Sequence, residues 1–270
     1  MQFALIHYNA PGATLEAFLD YAAGCGFDAV ELQCADVWDE TDERADPEAR
    51  AVEVRALAEA RGVAICAFAA SNDFLTLDPH ERNVQVARME RICNLGKLLG
   101  TNVIRTEGGW QTDKVPEDKW ADALAACLRR CVPFLEEMDV YLALDNHGKV
   151  TNDAQLQLLV LGMTGSKYVG TTLDTMNYRW MGWSIERCNR FYELSSLRAL
   201  HLHLKDGNGS LGNYKGAVLG DGEVDLVYAI KCLKRAGYGG VWCIEYEGRD
   251  ADGYTRCLEW AKKNVPKIMA

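Results

Sequence analysis

Leu200, Leu202 and Leu204 alternate with His201, His203 and Lys205, and Asp206 closes the run. Alternate residues of a β-strand face opposite sides. One side of this strand is therefore apolar, and the other carries two imidazoles and an ammonium. Three further runs are written the same way. In Tyr141-Leu142-Ala143-Leu144-Asp145 the leucines share a face and Asp145 stands on the other, followed by Asn146 and His147. Thr171-Thr172-Leu173-Asp174 leads into Thr175, Met176 and Asn177, and Trp242-Cys243-Ile244-Glu245 puts Glu245 on the face of Cys243. Asp145, Asp174 and Glu245, left unpaired in a partly buried site, would repel one another strongly. With His203 they make a donor set of three carboxylates and one imidazole, which suits one divalent cation: Mn, Co, Mg or Zn. The competing reading is that these groups cap strands or pair with Arg105, Lys149, Lys205 and Arg249.

Other chemically capable residues are weighed against plainer roles. His201 lies one step deeper than His203 on the same face and reads as a hydrogen-bonded core or supporting histidine. His147 follows the strand-five carboxylate and is either a substrate contact or loop structure. Lys205 either steadies an oxyanion or neutralises Asp206. Arg105 and Glu107 share an inward face and read as an ion pair across the barrel. Trp110, Trp180 and Trp183 offer flat faces to sugar C–H surfaces or simply pack their loops. The glycine-rich stretch from Gly207 to Gly222, with Lys215 inside it, is either a lid or phosphate cradle or a turn leading to a helix capped by Asp225.

The elements that must position these groups alternate regularly. Strand-like runs fall at Phe3–Tyr8, Asp28–Gln33, Val63–Phe68, Asn102–Thr106, Val140–Asp145, Tyr168–Asp174, Ala199–Lys205 and Gly240–Glu245. Helical patterns lie between them. Asp78-Pro79-His80-Glu81 offers an Asp cap, Pro at the first helical position and a Glu reaching back. Met89, Ile92, Cys93, Gly96 and Leu99 then share one helical face. Asp46-Pro47 opens another helix. Trp120, Leu124, Cys127, Cys131 and Met138 stripe the helix after strand four, which Pro133 should kink or split. Gly24, Gly26, Gly62, Gly100 and Gly237 fall where helices end. Strand–helix alternation implies parallel pairing with right-handed crossovers. Eight such units close most simply into a single (β/α)8 TIM barrel spanning residues 1–270, with an open doubly wound sheet as the poorer alternative.

Composition narrows the classes. The chain has 39 acidic against 29 basic residues, a formal net charge of −10, which argues against a phosphate-backbone partner. None of the ten cysteines forms a C-x-x-C pair, so they read as small buried hydrophobes of a reducing compartment. No basic-then-apolar leader and no apolar run near ~18 residues is written. The expectation is a soluble cytoplasmic protein without membrane or nucleic-acid partners, with a homo-oligomer left open.

The runs Gly26-Phe27-Asp28-Ala29-Val30-Glu31, Leu144-Asp145-Asn146-His147-Gly148, Leu173-Asp174-Thr175-Met176-Asn177, His203-Leu204-Lys205-Asp206 and Gly220-Asp221-Gly222-Glu223-Val224-Asp225 resemble the sugar phosphate isomerase/epimerase family, the xylose isomerase-like TIM-barrel superfamily. The resemblance covers essentially the whole chain. It implies one divalent metal held by Asp145, Asp174, His203 and Glu245, with Asp145 and Glu245 also moving protons on the two faces of a ketose. It places Glu31 among the substrate or supporting residues, where strand parity also points it inward. His147, Asn177 and Lys205 join it as candidate substrate contacts. Two departures stand out. Asp145 replaces the family's Glu and is one methylene shorter, and Asn177 stands where ketose epimerases have a substrate-binding His.

The reading that results is a metal-dependent carbohydrate isomerase or epimerase acting beside a carbonyl, with a small carbohydrate as its substrate. The alternatives are a lyase or dehydratase of a keto-inositol or keto-glycoside, and a sugar-binding protein without turnover. A third, an abasic-site endonuclease on a related barrel, holds three zincs with many histidines, whereas this chain has only His7, His80, His147, His201 and His203. The purified protein should therefore nick an abasic duplex oligonucleotide no faster than its Glu245→Ala variant at physiological salt, measured by denaturing gel.

Overall fold

The computed structural model describes residues 1–42, 44–110 and 112–270. Eight parallel strands close into a barrel. In chain order they are β1 (Phe3–Ile6), β2 (Ala29–Gln33), β3 (Ala64–Ala69), β4 (Val103–Thr106), β5 (Tyr141–Asp145), β6 (Val169–Asp174) and β7 (Ala199–Leu204), and, after a short hairpin of β8 (Asp206–Asn208) and β9 (Lys215–Ala217), β10 (Trp242–Ile244). β10 pairs with β1 and β7, so the sheet has no free edge. Each strand lies where its alternating pattern predicts it, within a few residues at either end. The last strand stops one residue before Glu245, which leaves that side chain on the rim.

Helices cover the barrel: α1 (Leu15–Cys25), α2 (Pro47–Glu59), α3 (Pro79–Leu99), α4 (Trp120–Met138), α5 (Ala154–Thr164), α6 (Asn177–Met181), α7 (Ile185–Ser196), α8 (Leu226–Ala236) and α9 (Gly253–Met269). Their starts are set locally. Asp46, Asp78, Asp153 and Asp225 each accept a hydrogen bond from a first-turn N–H, which satisfies a donor the helix cannot. Glu81 does not complete a box at Asp78; its carboxylate accepts from the Thr76 hydroxyl instead. Gly26, Gly100 and Gly237 end their helices in the left-handed conformation, whereas Gly24 lies inside α1. Pro133 does not split α4. The stripe of Trp120, Leu124, Cys127, Leu128 and Cys131 is buried along the helix, and this packing outweighs the one backbone bond that proline cannot donate.

Two apolar layers result. Leu142, Leu144, Leu202 and Leu204 face outward into the large core beneath the helices. Ala4, Ile6, Ala29 and Cys243 fill the barrel interior. Polar residues that share the inward face emerge at the C-terminal ends of the strands, where barrels of this kind carry their sites. Register sharpens this: Asp174 on β6 sits opposite His203 on β7, and Cys243 on β10 flanks His203 on the other side. The pairing of β2 with β3 is irregular between Val30 and Glu31, the kind of bulge that re-aims a side chain.

The glycine-rich stretch leads into α8, whose first turn Asp225 caps, and it does not offer its backbone as a phosphate cradle. Its first part is the β8–β9 hairpin. The N–H groups that could have held a phosphate instead donate to the chain's own Asp206, whose carboxylate accepts from Gly207, Gly220, Gly222 and Val224. A Cβ at Gly222 would lie 2.1 Å from Asp206 Oδ1, so only glycine admits this approach. Asp206 is thus satisfied by backbone and is not neutralised by Lys205. Asp206→Ala would leave these donors without an acceptor and should lower unfolding free energy by about 3 kcal/mol, read by equilibrium urea denaturation, with the hairpin losing amide-exchange protection first.

Candidate metal centre and active site

Three of the four proposed ligands converge. His203 Nδ1 lies 3.1 Å from Glu245 Oε2 and 3.8 Å from Asp174 Oδ2, and the three residues offer ligand atoms all within 4.8 Å of one another. Each is held by a separate anchor. Asp174 Oδ1 accepts from the N–H groups of Met176 and Asn177 at the start of α6, and Asn146 Oδ1 accepts from Asp174 N. These bonds turn Asp174 Oδ2 inward. His203 Nε2 is 2.7 Å from Glu31 Oε2, an orienting carboxylate that fixes the ring and leaves Nδ1 facing the other two. Glu245 Oε1 accepts from Lys205 Nζ at 2.8 Å, which leaves Oε2 on the side of His203.

This arrangement fits a divalent ion. Asp174 Oδ2 and His203 Nδ1 are buried polar atoms without a hydrogen-bond partner, and such atoms are costly unless something binds them. Asp145 lies outside the three-residue group. Its Oδ2 accepts from Arg105 Nη1 at 2.8 Å, while its Oδ1 is buried without a partner.

Arg105 is more than the partner of Glu107. Its Nε donates to Glu31 at 2.7 Å, and Nη1 reaches both Asp145 and, at 3.3 Å, Glu107. Lys205 plays the matching part on the opposite wall, with Glu245, Glu247 at 3.0 Å and Asp174 at 3.8 Å around its ammonium. Burial disfavours charge throughout the mouth, yet the partners decide most outcomes. Burial would raise Glu31, but His203, Arg105 and His201 outweigh it and hold it well below the usual carboxylate range. Burial would likewise raise Glu245, and Lys205 and His203 reverse this to a strongly lowered value. At Asp145 burial wins over Arg105 and the carboxyl is raised. Burial lowers His201 despite its 2.7 Å contact with Glu31, whereas His203, facing Glu31, Asp174 and Glu245, is raised well above the ordinary imidazole value.

A cavity of about 150 Å³ opens above these groups, lined by Ile6, Tyr8, Gln33, Arg105, Glu107, Asp145, His147 and Glu245. Asp145 and His147 therefore face it. Glu31 is fully buried beneath. Asn177 sits behind the wall, with Nδ2 3.4 Å from His147 Nδ1 and Oδ1 3.5 Å from Lys205 Nζ. Trp110 stands edge-on to His147. Trp183 instead packs on Phe191 and donates to Asn152 O, so it serves its loop; neither it nor Trp180 lines the cavity. Sequence reading overlooked Glu247, Gln33 and Tyr8. Glu247 shares strand parity with Glu245, but lies beyond the strand's end.

The chain is similar to known proteins over its whole length. The family model described as xylose isomerase-like TIM barrel matches residues 19–264. Among solved structures, a D-tagatose 3-epimerase-like protein superposes with a TM-score of 0.79 at 18% identity, each chain covered by 100%. A D-psicose 3-epimerase crystallised in the presence of D-fructose gives 0.77 at 14%, covering 98% of this chain and 99% of the other. The IOLI protein, described with a bound zinc atom, gives 0.77 at 17%, covering 100% and 98%. No protein of curated function matches by sequence.

The protonation of His203 has a measurable consequence. Against the effect of burial, Glu31, Asp174 and Glu245 around the ring favour its protonated form, whereas a metal ligand must be neutral. Divalent-ion affinity should therefore rise with pH from 6 to 8, and each ion taken up should release about one proton. Titration calorimetry of Mn or Zn in two buffers of different ionisation enthalpy measures that number; His203→Ala should abolish uptake.

Proposed function

Since the chain belongs to the xylose isomerase-like TIM-barrel family, we propose that it is a divalent-metal-dependent isomerase or epimerase, acting on a sugar or keto-sugar by removing a proton beside a carbonyl. The observation that carries this reading is the contrast between two carboxyl groups lining one cavity, Glu245 and Asp145. Their environments push them apart, Glu245 down and Asp145 up, and such a split marks acid and base roles. The neighbours support it as well: proteins described as 3-epimerases of D-psicose and L-ribulose share the fold.

Asp174, His203 and Glu245 would hold the ion. The chemistry it supplies there is Lewis-acid polarisation of the substrate's carbonyl and hydroxyl oxygens, which acidifies the adjacent C–H. Lys205 keeps Glu245 ionised, so its carboxylate is ready to accept that proton. An anion so strongly stabilised is a weak base, and it is matched only to a C–H already made acidic. Asp145 faces the same cavity, and burial pushes its carboxyl upward against the pull of Arg105, so it is the acid on that wall placed to return a proton. His147, edge-on to Trp110, is the second group on that wall able to donate. Glu31 touches no substrate in this scheme; it orients His203. Asn177 and Lys205 hold the wall and, through Lys205 Nζ, offer a charge to a developing oxyanion. A lyase on the same site would begin with the same proton removal and differ only in what leaves afterwards.

Glu245→Gln should reduce turnover on an accepted ketose or keto-sugar by about 10²–10⁴-fold, after correction for the metal retained. Wild-type protein incubated with that substrate in D2O should place deuterium on the carbon next to the carbonyl, read by NMR or mass spectrometry. Undiminished turnover in the variant, or turnover with no proton removal detectable by a substrate deuterium isotope effect, would refute the assignment. A product short of water or of a substituent would identify the lyase.

A further inference from the structure

We propose that Arg105 is a positioning residue that holds Asp145 out of the metal's inner coordination sphere, so that the protein ligands are Asp174, His203 and Glu245 alone and Asp145 offers its free oxygen to a molecule bound at the open position. The inference rests on the metal reading above and departs from the four-ligand set that the sequence suggests.

Four observations carry it. Asp174, His203 and Glu245 present ligand atoms within 4.8 Å of one another, and Asp145 belongs to no such group among the described residues. Asp145 is short by a methylene relative to the Glu that the family resemblance leads one to expect, and its Oδ2 is already taken by Arg105 Nη1 at 2.8 Å. The guanidinium is tethered on its other side, with Nε bonded at 2.7 Å to the fully buried Glu31, which in turn holds both His201 and His203. Finally, Asp145 lines the cavity of about 150 Å³ whereas Asp174 and His203 do not. Its Oδ1 is buried yet has no partner, and, facing the cavity as Asp174 and His203 do not, it is placed to hydrogen-bond a hydroxyl or water there. Three protein ligands with a position left open is the arrangement of a catalytic rather than a structural ion.

The geometry also explains why an arginine is required. Its planar fork reaches two carboxylates on different strands, β2 and β5, with fixed spacing. A lysine would present one compact charge, without the rigid fork that fixes the spacing of the two carboxylates.

The test uses the full-length protein loaded with cobalt(II), whose visible bands report ligand number and geometry. At saturating cobalt, Asp145→Ala should leave band positions and intensities as in wild type, whereas Asp174→Ala should not bind the ion. Asp145→Glu should reach the ion, shift the bands and lower their intensity as coordination number rises. Arg105→Gln should move the spectrum in the same direction by freeing Asp145, and Arg105→Gln with Asp145→Ala should return it to the wild-type form. A merely structural arginine would not give that reversal. A changed spectrum in Asp145→Ala overturns the inference, and so does an Arg105→Gln variant that folds, binds cobalt and keeps the wild-type bands. If Arg105→Gln fails to fold, the Asp145→Ala spectrum decides alone. Failure of the wild type to bind cobalt at all would instead remove the metal reading itself.

Discussion

Among the described residues, the mouth of this barrel gathers six carboxylates, those of Glu31, Glu107, Asp145, Asp174, Glu245 and Glu247, around two permanently charged cations, Arg105 and Lys205. Removing one partner from such a buried set costs about 3–5 kcal/mol, because it leaves an uncompensated charge. The surrounding structure is arranged to keep the set divided. Arg105 gathers the carboxylates of β2, β4 and β5, while Lys205 gathers those at the ends of β6 and β10. His203 lies between the two groups and touches both, through Nε2 to Glu31 and Nδ1 toward Asp174 and Glu245. A surplus of negative charge remains on the side of His203 Nδ1. That imbalance makes the site receptive to a cation.

The scaffold keeps these charges from collapsing onto one another by binding each through backbone or a buried side chain. Asp174 is fixed by the N–H groups opening α6 and by Asn146; Glu31 by two histidines and an arginine. Lys205 is carried on the last turn of chain after β7, where its own N–H donates to Thr175 and Thr175 Oγ1 donates back to Lys205 O. The next residue, Asp206, ties the returning glycine-rich segment down through four backbone donors. Anchors of this kind matter because a catalytic group displaced by a few tenths of an ångström loses much of its advantage.

Much of this was legible in the sequence, for one reason: strand parity is strict. A period of two places Asp145, Asp174, His203 and Glu245 on inward faces, and eight strand–helix repeats leave little choice of fold. What parity does not reveal is pairing between strands far apart in the chain. Arg105 and Glu31 are separated by 74 residues, and nothing local shows that the arginine, by holding both Glu31 and Asp145, ties β2 to β5. Glu247 escaped notice because parity ceases to apply beyond Ile244, where the strand ends. The sequence leaves the glycine-rich segment between two readings for another reason, and the turn into a helix capped by Asp225 is the one the structure shows. Repeated glycines signal that backbone N–H groups approach something closely, but not that the acceptor is a side chain of the same chain.

Such separation between what is legible and what is not also locates the choice of reaction. An epimerase and a lyase at this site, and an isomerase working through an enolate, would share the first event, loss of a proton from a carbon beside a polarised carbonyl. In the proposed reading the residues that would serve that event are the ones that parity exposes: Asp174, His203 and Glu245, on neighbouring strands. The second event depends on what stands across the cavity, since a proton returned to the same carbon, to its neighbour, or to a departing oxygen gives three different products. Here that wall is Asp145, shortened and clasped by Arg105, with His147 beside it under Trp110. On the proposed reading the shared step is written in strand pattern, and the distinguishing one would lie in the length of a single acidic side chain and the reach of the arginine bonded to it.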